Sequence, residues 1–340
     1  MTQRLTIEKA HQLAVSALCA HNTSADNAEA VARALVSAEA DGLSSHGLSR
    51  LPSYCQQAAS GKVAGHATPC ASLVAAAALR VDAGHGFAYP ALELAVDKLA
   101  DLACRIGIGV AAVTRSHHCG AAGYHVEALA RHNLIGIMFA NTPKAISPWG
   151  GRHALLGTNP IAFAAPRRAT SPLVIDLSLS KVARGKIMVA DQRGDTIPEG
   201  WALDADGRPT TDPKAALAGT MLPMGEAKGS ALVLMVEILA AALTASHFGF
   251  EAGSFFTAEG PPPGVGQLLV ALAPGPLSAQ GFEDRLEVLL TAVLDQDHTR
   301  LPGDRRLSAR RRALADGLSI DDQLLATIRA IAAGARSAGL

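Results

Sequence analysis

Alanine, valine and leucine recur at helical spacing in the first part of the chain. Between residues 6 and 20, and again between 25 and 41, these side chains fall on one face of a helix while charged residues fill the other. Thr6 and Ser24 stand where N-caps belong, and Gly42 ends the second pattern. The spacing therefore predicts two amphipathic helices close to the start of the chain.

A third helix is predicted to begin just after His46 and to end before Gly61. The helical stretch 307–337 is the expected C-terminal counterpart of these N-terminal helices. We predict that residues 1–72 and 298–340 pack together as one discontinuous helical domain.

Between these ends the pattern changes to an alternation of strands and helices. Strands are predicted at 78–82, 108–114, 135–140, 173–177 and 267–272, and helices at 89–104, 120–132, 230–246 and 281–296. The fold class is α/β (α+β mixed), and residues 73–297 are expected to form a mixed-sheet domain. Two long connections rich in Gly and Pro, 187–224 and 251–266, are predicted to be loops that cover a site or contact another subunit.

Composition narrows the classes of partner and the compartment. Lys+Arg and Asp+Glu both number 30 with no basic stripe, so nucleic acid and anionic membrane are poor partners. The longest apolar run, 231–243, contains Glu237 and is too short to span a bilayer. The five cysteines include no C-x-x-C pair, and the N-terminus lacks a secretory apolar segment. These features favour a cytoplasmic protein with reduced thiols.

The segment 41–55 carries the strongest candidate chemistry. A polar turn presents Ser45 and His46, and Arg50 follows about one helical turn later. An imidazole beside a hydroxyl and a fixed cation suits a proton donor that acts on an anionic substrate. The alternative is a helix connector with an incidental histidine.

A second candidate follows a predicted strand, where small residues at 120–123 open a helix. Free backbone N–H groups at such a helix start can hold a phosphate or a nicotinamide cofactor. Zinc binding by His117, His118, Cys119 and His125 is less favoured, since adjacent ligands seldom converge on a tetrahedron. Gly107–Ala112 matches G-x-G-x-x-A only formally, because its glycines begin a strand instead of opening a helix. Hydrolase elbows, Walker loops and H-E-x-x-H motifs are absent from the sequence.

Several polar turns remain open to two interpretations on local grounds. Thr158 lies in a Gly-Thr-Asn-Pro turn, and Asp176, at a strand end, could accept from a ribose hydroxyl or simply cap the next segment. The cations Lys181, Arg184 and Lys186 form either a solvated face or an anion site. The turn 301–306, with two arginines, looks locally like a surface loop.

Taken in order, these motifs resemble the type 2 malate/L-lactate dehydrogenase family. The segments that carry the resemblance are Ser44–Gly47, Ser116–His118, Pro148–Gly151, Gly157–Phe163, Leu222–Gly225, Lys228–Ser230 and Leu301–Arg306. The resemblance spans about residues 5–335. It implies a homodimer or dimer of dimers, NADP or NAD as cofactor, and a cofactor-binding fold distinct from the Rossmann fold.

The resemblance also implies roles for individual residues. His46 would be the catalytic proton donor and acceptor with Ser45 as its neighbour, and Arg50 and Thr158 would bind substrate. The implied cofactor-binding residues are His118, Cys119, Gly120, Ala121, Ala122, Asp176, Leu177, Ser178, Ala227, Lys228, Gly303, Asp304, Arg305 and Arg306. The turn 301–306 thereby changes from a surface loop to a cofactor segment, and its two arginines favour NADP through a 2′-phosphate. No metal is expected.

Lys186 departs from the imino-acid reductase branch of this family, in which an Asp stands at the corresponding place. A cation there, together with Arg184, would attract a second negative group on the substrate. We therefore predict hydride transfer at C2 of a small 2-oxo/2-hydroxy acid, with (R)-3-sulfolactate or malate favoured and lactate also accepted. Piperideine/pyrroline-2-carboxylate reduction is the alternative within enzymes, and a non-catalytic small-anion binder is the alternative outside them.

Overall fold

The computed structural model of the chain describes residues 2–168 and 170–334. The helices are α1 (Ile7–Cys19), α2 (Ala25–Ala40), α3 (Leu51–Ala59), α4 (Ala88–Ile106), α5 (Ala122–Arg131), α6 (Arg184–Arg193), α7 (Pro213–Ala218), α8 (Glu226–Glu237), α9 (Pro274–Leu277), α10 (Phe282–Leu294), α11 (Asp304–Asp316) and α12 (Asp322–Ala332). The strands are β1 (Thr2–Leu5), β2 (Cys70–Ala75), β3 (Ala78–Asp82), β4 (Ile108–Ser116), β5 (Ile135–Ala140), β6 (Ile161–Ala165), β7 (Leu173–Leu177), β8 (Ala202–Leu203), β9 (Pro209–Thr210), β10 (Thr220–Met221), β11 (Val265–Leu272) and β12 (Leu318–Asp321).

The two ends of the chain share one hydrophobic core. The Thr6 and Ser24 side chains accept from backbone N–H groups three residues later, which starts α1 and α2 at the predicted caps. Leu18 and Leu35 are buried with Ile328 of α12 in one cluster, and β1 pairs antiparallel with β12. This shared core supports the proposed discontinuous helical domain. Because β2 crosses the boundary predicted at 72–73, the division has to lie before Cys70.

A seven-stranded mixed sheet forms the centre of the chain, in the order β2-β3-β4-β11-β5-β6-β7. Only β3 and β4 are parallel neighbours in this sheet, and α4 makes the crossover between them. Leu92, Leu99 and Leu129 of α4 and α5 are buried against one face with Met138 of β5. Phe139, the next residue of β5, packs instead into a separate cluster that includes α8. The predicted mixed α/β class is confirmed, and the strand order differs from the all-parallel Rossmann order.

Three sequence predictions need correction. The connection 187–224 is not a plain loop: it contains most of α6, the whole of α7 and the small sheet β10-β8-β9. Its apolar residues Ile187, Ile197 and Met221 are buried together, which explains why it folds. The C-terminal stretch is broken by β12, and its predicted residues 335–337 lie outside the described residues. The helix predicted at 230–246 begins earlier, as α8, and changes to a π-helical turn over Ile238–Ala242.

Within residues 2–168 and 170–334, the helices are too short or too polar to cross a bilayer.

Candidate functional site

The turn between α2 and α3 is held in shape by Glu39. Its carboxylate accepts from the Ser44 hydroxyl at 2.8 Å and from the Leu48 backbone N–H at 2.9 Å. Gly47 lies so close to Glu39 that any Cβ there would collide with the carboxylate. Arg50 then donates from Nε to the Ser45 carbonyl at 2.7 Å. The turn that presents His46 is therefore fixed by local bonds, as catalytic positioning requires.

His46 is a neutral imidazole in this environment. Its Nδ1 lies 3.0 Å from the Ser45 hydroxyl, and its ring stacks on that of His118 with centroids 5.5 Å apart. Burial, and then the positive charge of Arg50, lower the pKa of His46 from 6.5 to about 4. A negative group bound to Arg50 would offset the second of these causes and would favour protonation of His46.

A loop residue lies across the Arg50 guanidinium. The Cζ of Arg50 lies 4.5 Å from the centroid of the Phe256 ring, a cation–π distance. Since Nε is already bonded to Ser45, the two terminal nitrogens of Arg50 are the ones available to a carboxylate. The neighbouring Phe255 ring packs on His118 at 4.9 Å. The loop predicted at 251–266 thus reaches the candidate site.

Polar side chains of α3 and the residues just after it hold this loop. Gln57 Nε2 donates to the Phe255 carbonyl at 2.9 Å, and the Ser60 hydroxyl donates to Ala258 at 2.9 Å. Lys62 Nζ donates to the carbonyls of Thr257 and Glu259 at 2.9 and 2.8 Å. Both phenyl rings are consequently carried on a backbone that is anchored to the helix that follows the His46 turn.

The histidines at 117, 118 and 125 face separate partners, which disfavours the zinc alternative. His118 Nδ1 lies 2.6 Å from the Tyr54 hydroxyl, and His117 Nε2 lies 2.7 Å from Gln57 Oε1. His125 Nε2 lies 2.9 Å from the carbonyl of Cys119, whose thiol is buried. In the part of the chain that the structure describes, no three His, Cys, Asp or Glu side chains form a metal-binding group.

The start of α5 is occupied by a carboxylate. Asp176 Oδ2 accepts from the Gly123 N–H at 2.8 Å, so one of the free donors predicted for a phosphate is already used. A carboxylate at this position would repel a phosphate, but it can accept a hydrogen bond from a hydroxyl or an amide. The segment from Cys119 to Ala122 adjoins it, and Gly120 (φ +67°) lies where a side chain would meet Tyr89. The local phosphate interpretation is wrong for Gly123, while the ribose-hydroxyl interpretation of Asp176 stays a prediction.

Thr158 lies in a network centred on a buried carboxylate. Its hydroxyl is 3.2 Å from that of Thr142, and the next residue, Asn159, donates to Glu237 at 2.6 Å. Glu237 also accepts from Asn141 at 3.2 Å and from the Gly249 N–H at 2.6 Å. It is 3% exposed, and its hydrogen-bonding partners are all neutral. Glu237 thus fixes the turn that presents Thr158.

The two cations predicted for the substrate's far end begin α6. Arg184 donates to the Leu217 carbonyl at 3.1 Å, whereas Lys186 is exposed and makes no side-chain bond to the residues the structure describes. Ala227 and Lys228 line a recess of about 520 Å³ with Lys181 at the N-terminus of α8. Leu177 and Ser178 follow Asp176 at the exposed end of β7. These residues stay candidates at their predicted places.

The turn 301–306 separates its two arginines into different environments. Arg306 bonds to Asp41, at 3.0 Å, and to Glu127, and its side chain is only 13% exposed. Arg305 is exposed, and Gly303 and Asp304 begin α11, with Asp304 accepting from the Leu301 N–H at 2.9 Å. Arg306 is therefore less suited than Arg305 to a 2′-phosphate, because it already shares Asp41 and Glu127 with Arg310.

Several residues of this region were not predicted from the sequence. Tyr54 lies within the third predicted helix, among apolar neighbours, and Glu237 is a charge inside an apolar run. Those two anomalies, a hydroxyl and a carboxylate among apolar neighbours, were the available signals. Phe255 and Phe256 carried no signal, because nothing local relates them to a turn about 200 residues earlier.

The chain is similar to known proteins over almost its whole length. The family model described as malate/L-lactate dehydrogenase matches residues 5–329. A (2R)-3-sulfolactate dehydrogenase (NADP(+)) of Chromohalobacter salexigens is 52% identical over 98% of this chain and 99% of its own length. A Δ1-pyrroline-2-carboxylate/Δ1-piperideine-2-carboxylate reductase of Pseudomonas putida is 44% identical, covering 87% and 89% of the two chains.

A solved structure shows the same fold. The Δ1-piperideine-2-carboxylate reductase from Pseudomonas syringae pv. tomato superposes with a TM-score of 0.92 at 39% identity, covering 97% of this chain and all of that one. The resemblance seen in the motifs is thereby confirmed over almost the whole chain. The chain belongs to the malate/L-lactate dehydrogenase family.

Proposed function

We propose that the chain is an NADP-preferring dehydrogenase of a small 2-hydroxy acid that carries a second negative group. The favoured substrate is (2R)-3-sulfolactate, then malate, with lactate accepted more weakly. The observation that carries the proposal is the fixed turn that presents His46, whose ring stacks on His118. Arg50 follows in the same turn, and its two terminal guanidinium nitrogens make no hydrogen bond to the described residues. The sulfolactate dehydrogenase at 52% identity supports the choice of substrate.

The residues at the end of β7 and after Leu301 fit a nicotinamide dinucleotide. Arg306 keeps two buried nitrogens, Nε and one terminal NH₂, without partners in the described structure, and that NH₂ lies 4.0 Å from where a Cβ at Gly303 would stand. Asp176 offers a carboxylate oxygen to a hydroxyl, and the exposed Arg305 suits a 2′-phosphate. Ala227 and Lys228 would bind from the recess at α8. When bound, the reduced cofactor supplies the hydride for C2.

The chain's own residues would supply binding and the proton. Arg50 would hold the C1 carboxylate through its terminal nitrogens, and Thr158 would contact the acid beside it. Lys186, with Arg184, would bind the distal sulfonate or carboxylate. In reduction His46 donates a proton to the C2 oxygen; in oxidation the neutral ring removes it, with Ser45 bonded to the other ring nitrogen. Phe255 and Phe256 would limit the access of water to the bound acid.

Cyclic imino-acid reduction is the second candidate function. The pyrroline and piperideine reductases at 44% and 39% identity support it. Lys186 weighs against it, because a cation there would not help to protonate an imine nitrogen. A non-catalytic anion binder is the remaining alternative.

Steady-state kinetics on one substrate panel distinguish these functions. Sulfopyruvate, oxaloacetate, pyruvate and piperideine-2-carboxylate are each measured with NADPH and with NADH. We expect the largest kcat/KM for sulfopyruvate with NADPH. A larger value for piperideine-2-carboxylate would establish the imino-acid function instead, and no cofactor oxidation across the panel would favour the binder.

We also propose that the chain forms a homodimer or a dimer of dimers. Apolar side chains along α8 and the turn after it are exposed, among them Leu234 (52%), Ile238 (53%) and Leu243 (60%). Burial of this band against a second copy would remove it from water. Light scattering after size-exclusion chromatography tests this, and a monomer at micromolar concentration would contradict it.

The compartment we propose is the cytoplasm. All five cysteines are free thiols in the structure, two of them buried, which suits a reducing environment. Fractionation of cells that express the chain would test this location.

A further inference from the structure

Two buried tyrosines connect to His118 through its Nδ1. The Tyr89 hydroxyl lies 3.2 Å from that of Tyr54, which lies 2.6 Å from His118 Nδ1. Tyr54 is 0% exposed, Tyr89 is 1% and His118 is 6%. The three groups therefore form a chain of hydrogen bonds that is closed to solvent at the tyrosine end.

The protons of this chain have a preferred direction. Within residues 2–168 and 170–334, the Tyr89 hydroxyl has Tyr54 as its one hydrogen-bond partner. If Tyr89 accepted from Tyr54, its own buried O–H would have no acceptor, a more costly defect than an unused lone pair. Tyr89 therefore donates to Tyr54. Tyr54 in turn donates to His118, and burial, which raises the pKa of Tyr54 to about 12, keeps that proton in place.

The direction of these hydrogen bonds determines which ring nitrogen of His118 carries the hydrogen. A neutral imidazole has one N–H, so a ring that accepts at Nδ1 must donate at Nε2. Burial, followed by the charge of Arg50, lowers the pKa of His118 well below 6.5, so the ring is neutral at pH 7. Nε2 makes no bond within the described residues and does not belong to the buried atoms that lack partners. It is therefore open to a ligand.

We propose that Tyr89 and Tyr54 are positioning residues that hold His118 as the Nε2–H tautomer, which donates to a carbonyl oxygen of the bound ligand. The stacked pair would then divide its tasks: His46 exchanges a proton, while His118 is a fixed donor. The oxygen would come from the nicotinamide carboxamide or from the 2-oxo acid. The ligand's identity rests on the proposed function, but the tautomer does not.

Nitrogen NMR of the ligand-free protein tests the tautomer directly. Long-range ¹H–¹⁵N spectra of protein labelled at histidine distinguish pyrrole-type from pyridine-type nitrogens, and His118→Gln identifies the signals of His118 among the twelve histidines. We expect a pyridine-type Nδ1 and a pyrrole-type Nε2 at pH 7. The opposite assignment in the wild-type protein would overturn the proposal, whether or not the chain is active.

Substitution of the tyrosines tests whether they determine the tautomer of His118. Tyr54→Phe and Tyr89→Phe should each give His118 signals averaged between the two tautomers. Tyr124→Phe is the matched control, because Tyr124 contacts His125 and has no hydrogen bond to His118. Unchanged signals in both Tyr54→Phe and Tyr89→Phe would overturn the positioning role. If Tyr54→Phe does not fold, the spectrum of Tyr89→Phe decides the question alone.

Binding measurements on Tyr54→Phe identify the oxygen. A dissociation constant for NADPH raised about threefold to tenfold without acid present, the effect of one hydrogen bond, would indicate the carboxamide. An unchanged NADPH constant with a KM for the 2-oxo acid raised by the same factor would indicate the keto oxygen. If neither changes, His118 does not donate to the ligand.

Discussion

The imidazole rings of His46 and His118 lie stacked, 28° from parallel, with their centroids 5.5 Å apart. Two protonated rings at this distance would repel each other, and the charge of Arg50 also opposes protonation of either ring. The pair is consequently neutral without ligand. An anion that binds Arg50 removes part of this opposition and allows His46 to accept a proton.

The first prediction concerns the pH dependence of kcat/KM, which reports the free enzyme. The pKa of His46 is lowered to about 4, so the protonated fraction falls tenfold per pH unit above that value. We expect kcat/KM for reduction to fall about tenfold per unit from pH 5 to 8. Oxidation needs the neutral ring, so its kcat/KM should be flat over that range. A loss of oxidation below pH 6.5 would contradict the lowered pKa.

The second prediction is that His46→Ala abolishes most turnover without unfolding the chain. A general acid contributes about 10²- to 10⁴-fold, so kcat should fall at least a hundredfold while circular dichroism stays unchanged. His66→Ala, which removes an exposed histidine outside the site, is the control and should keep full activity. A loss smaller than about tenfold for His46→Ala would remove His46 from the catalytic role.

Local sequence pattern was sufficient for much of the fold. The branched residues of β5 and β7 gave strands with the predicted bounds, and Thr6 and Ser24 capped the predicted helices. Strand β6 was not predicted, because only the polar turn before it, Gly157–Pro160, was interpreted, and Ile161–Ala165 is short and rich in alanine. Strands β1 and β12 pair over more than 300 residues, a contact that no local pattern reveals.

The residues of the candidate site also separate into those that local sequence displays together and those that only the fold brings together. His46, Arg50 and Ser45 lie within six residues, so one segment displayed them together. Arg306 looked like a free cation, since its partners Asp41 and Glu127 are 265 and 179 residues away in sequence. The pairing depends on the packing of α2, α5 and α11, which is a property of the fold and not of the turn.

The third prediction assigns the substrate's distal anion to Lys186. Lys186→Ala should raise KM for sulfopyruvate and oxaloacetate about tenfold, as expected for a lost charge-assisted bond, and leave KM for pyruvate unchanged. Lys214→Ala removes another exposed lysine, at α7, and serves as the control. Equal losses with pyruvate would mean that Lys186 does not bind the distal group.

The fourth prediction uses four histidines with lowered pKa values. Burial is the largest cause for each, and the pKa falls to about 3 for His117, about 4 for His125 and His46, and well below 6.5 for His118. The unfolded chain takes up protons below pH 6.5, while the folded chain does not until about pH 4. Stability is therefore fully present above pH 6.5 and is lost as pH falls toward 4.

Urea unfolding at pH 7, 6 and 5 measures this loss. Each histidine contributes about 1.4 kcal/mol per pH unit within that window. His125→Gln should make the dependence shallower by that amount, because an amide can still donate to the Cys119 carbonyl but does not titrate. An unchanged slope in His125→Gln would show that this ring titrates alike in the folded and unfolded chains, and would contradict its lowered pKa.

The fifth prediction separates cofactor choice from stability at two adjacent arginines. Arg305 is exposed, so Arg305→Ser should raise KM for NADPH about tenfold, leave KM for NADH unchanged and leave urea unfolding as in wild type.

Arg306→Met instead removes the partner of two buried carboxylates and leaves Arg310 to balance them alone. Breaking a buried pair costs on the order of 3 kcal/mol, so unfolding free energy should fall by about that much. Arg305→Ser is the stability control for Arg306→Met. If Arg306→Met were as stable as wild type, or if Arg305→Ser weakened NADPH and NADH equally, the division of roles between them would be wrong.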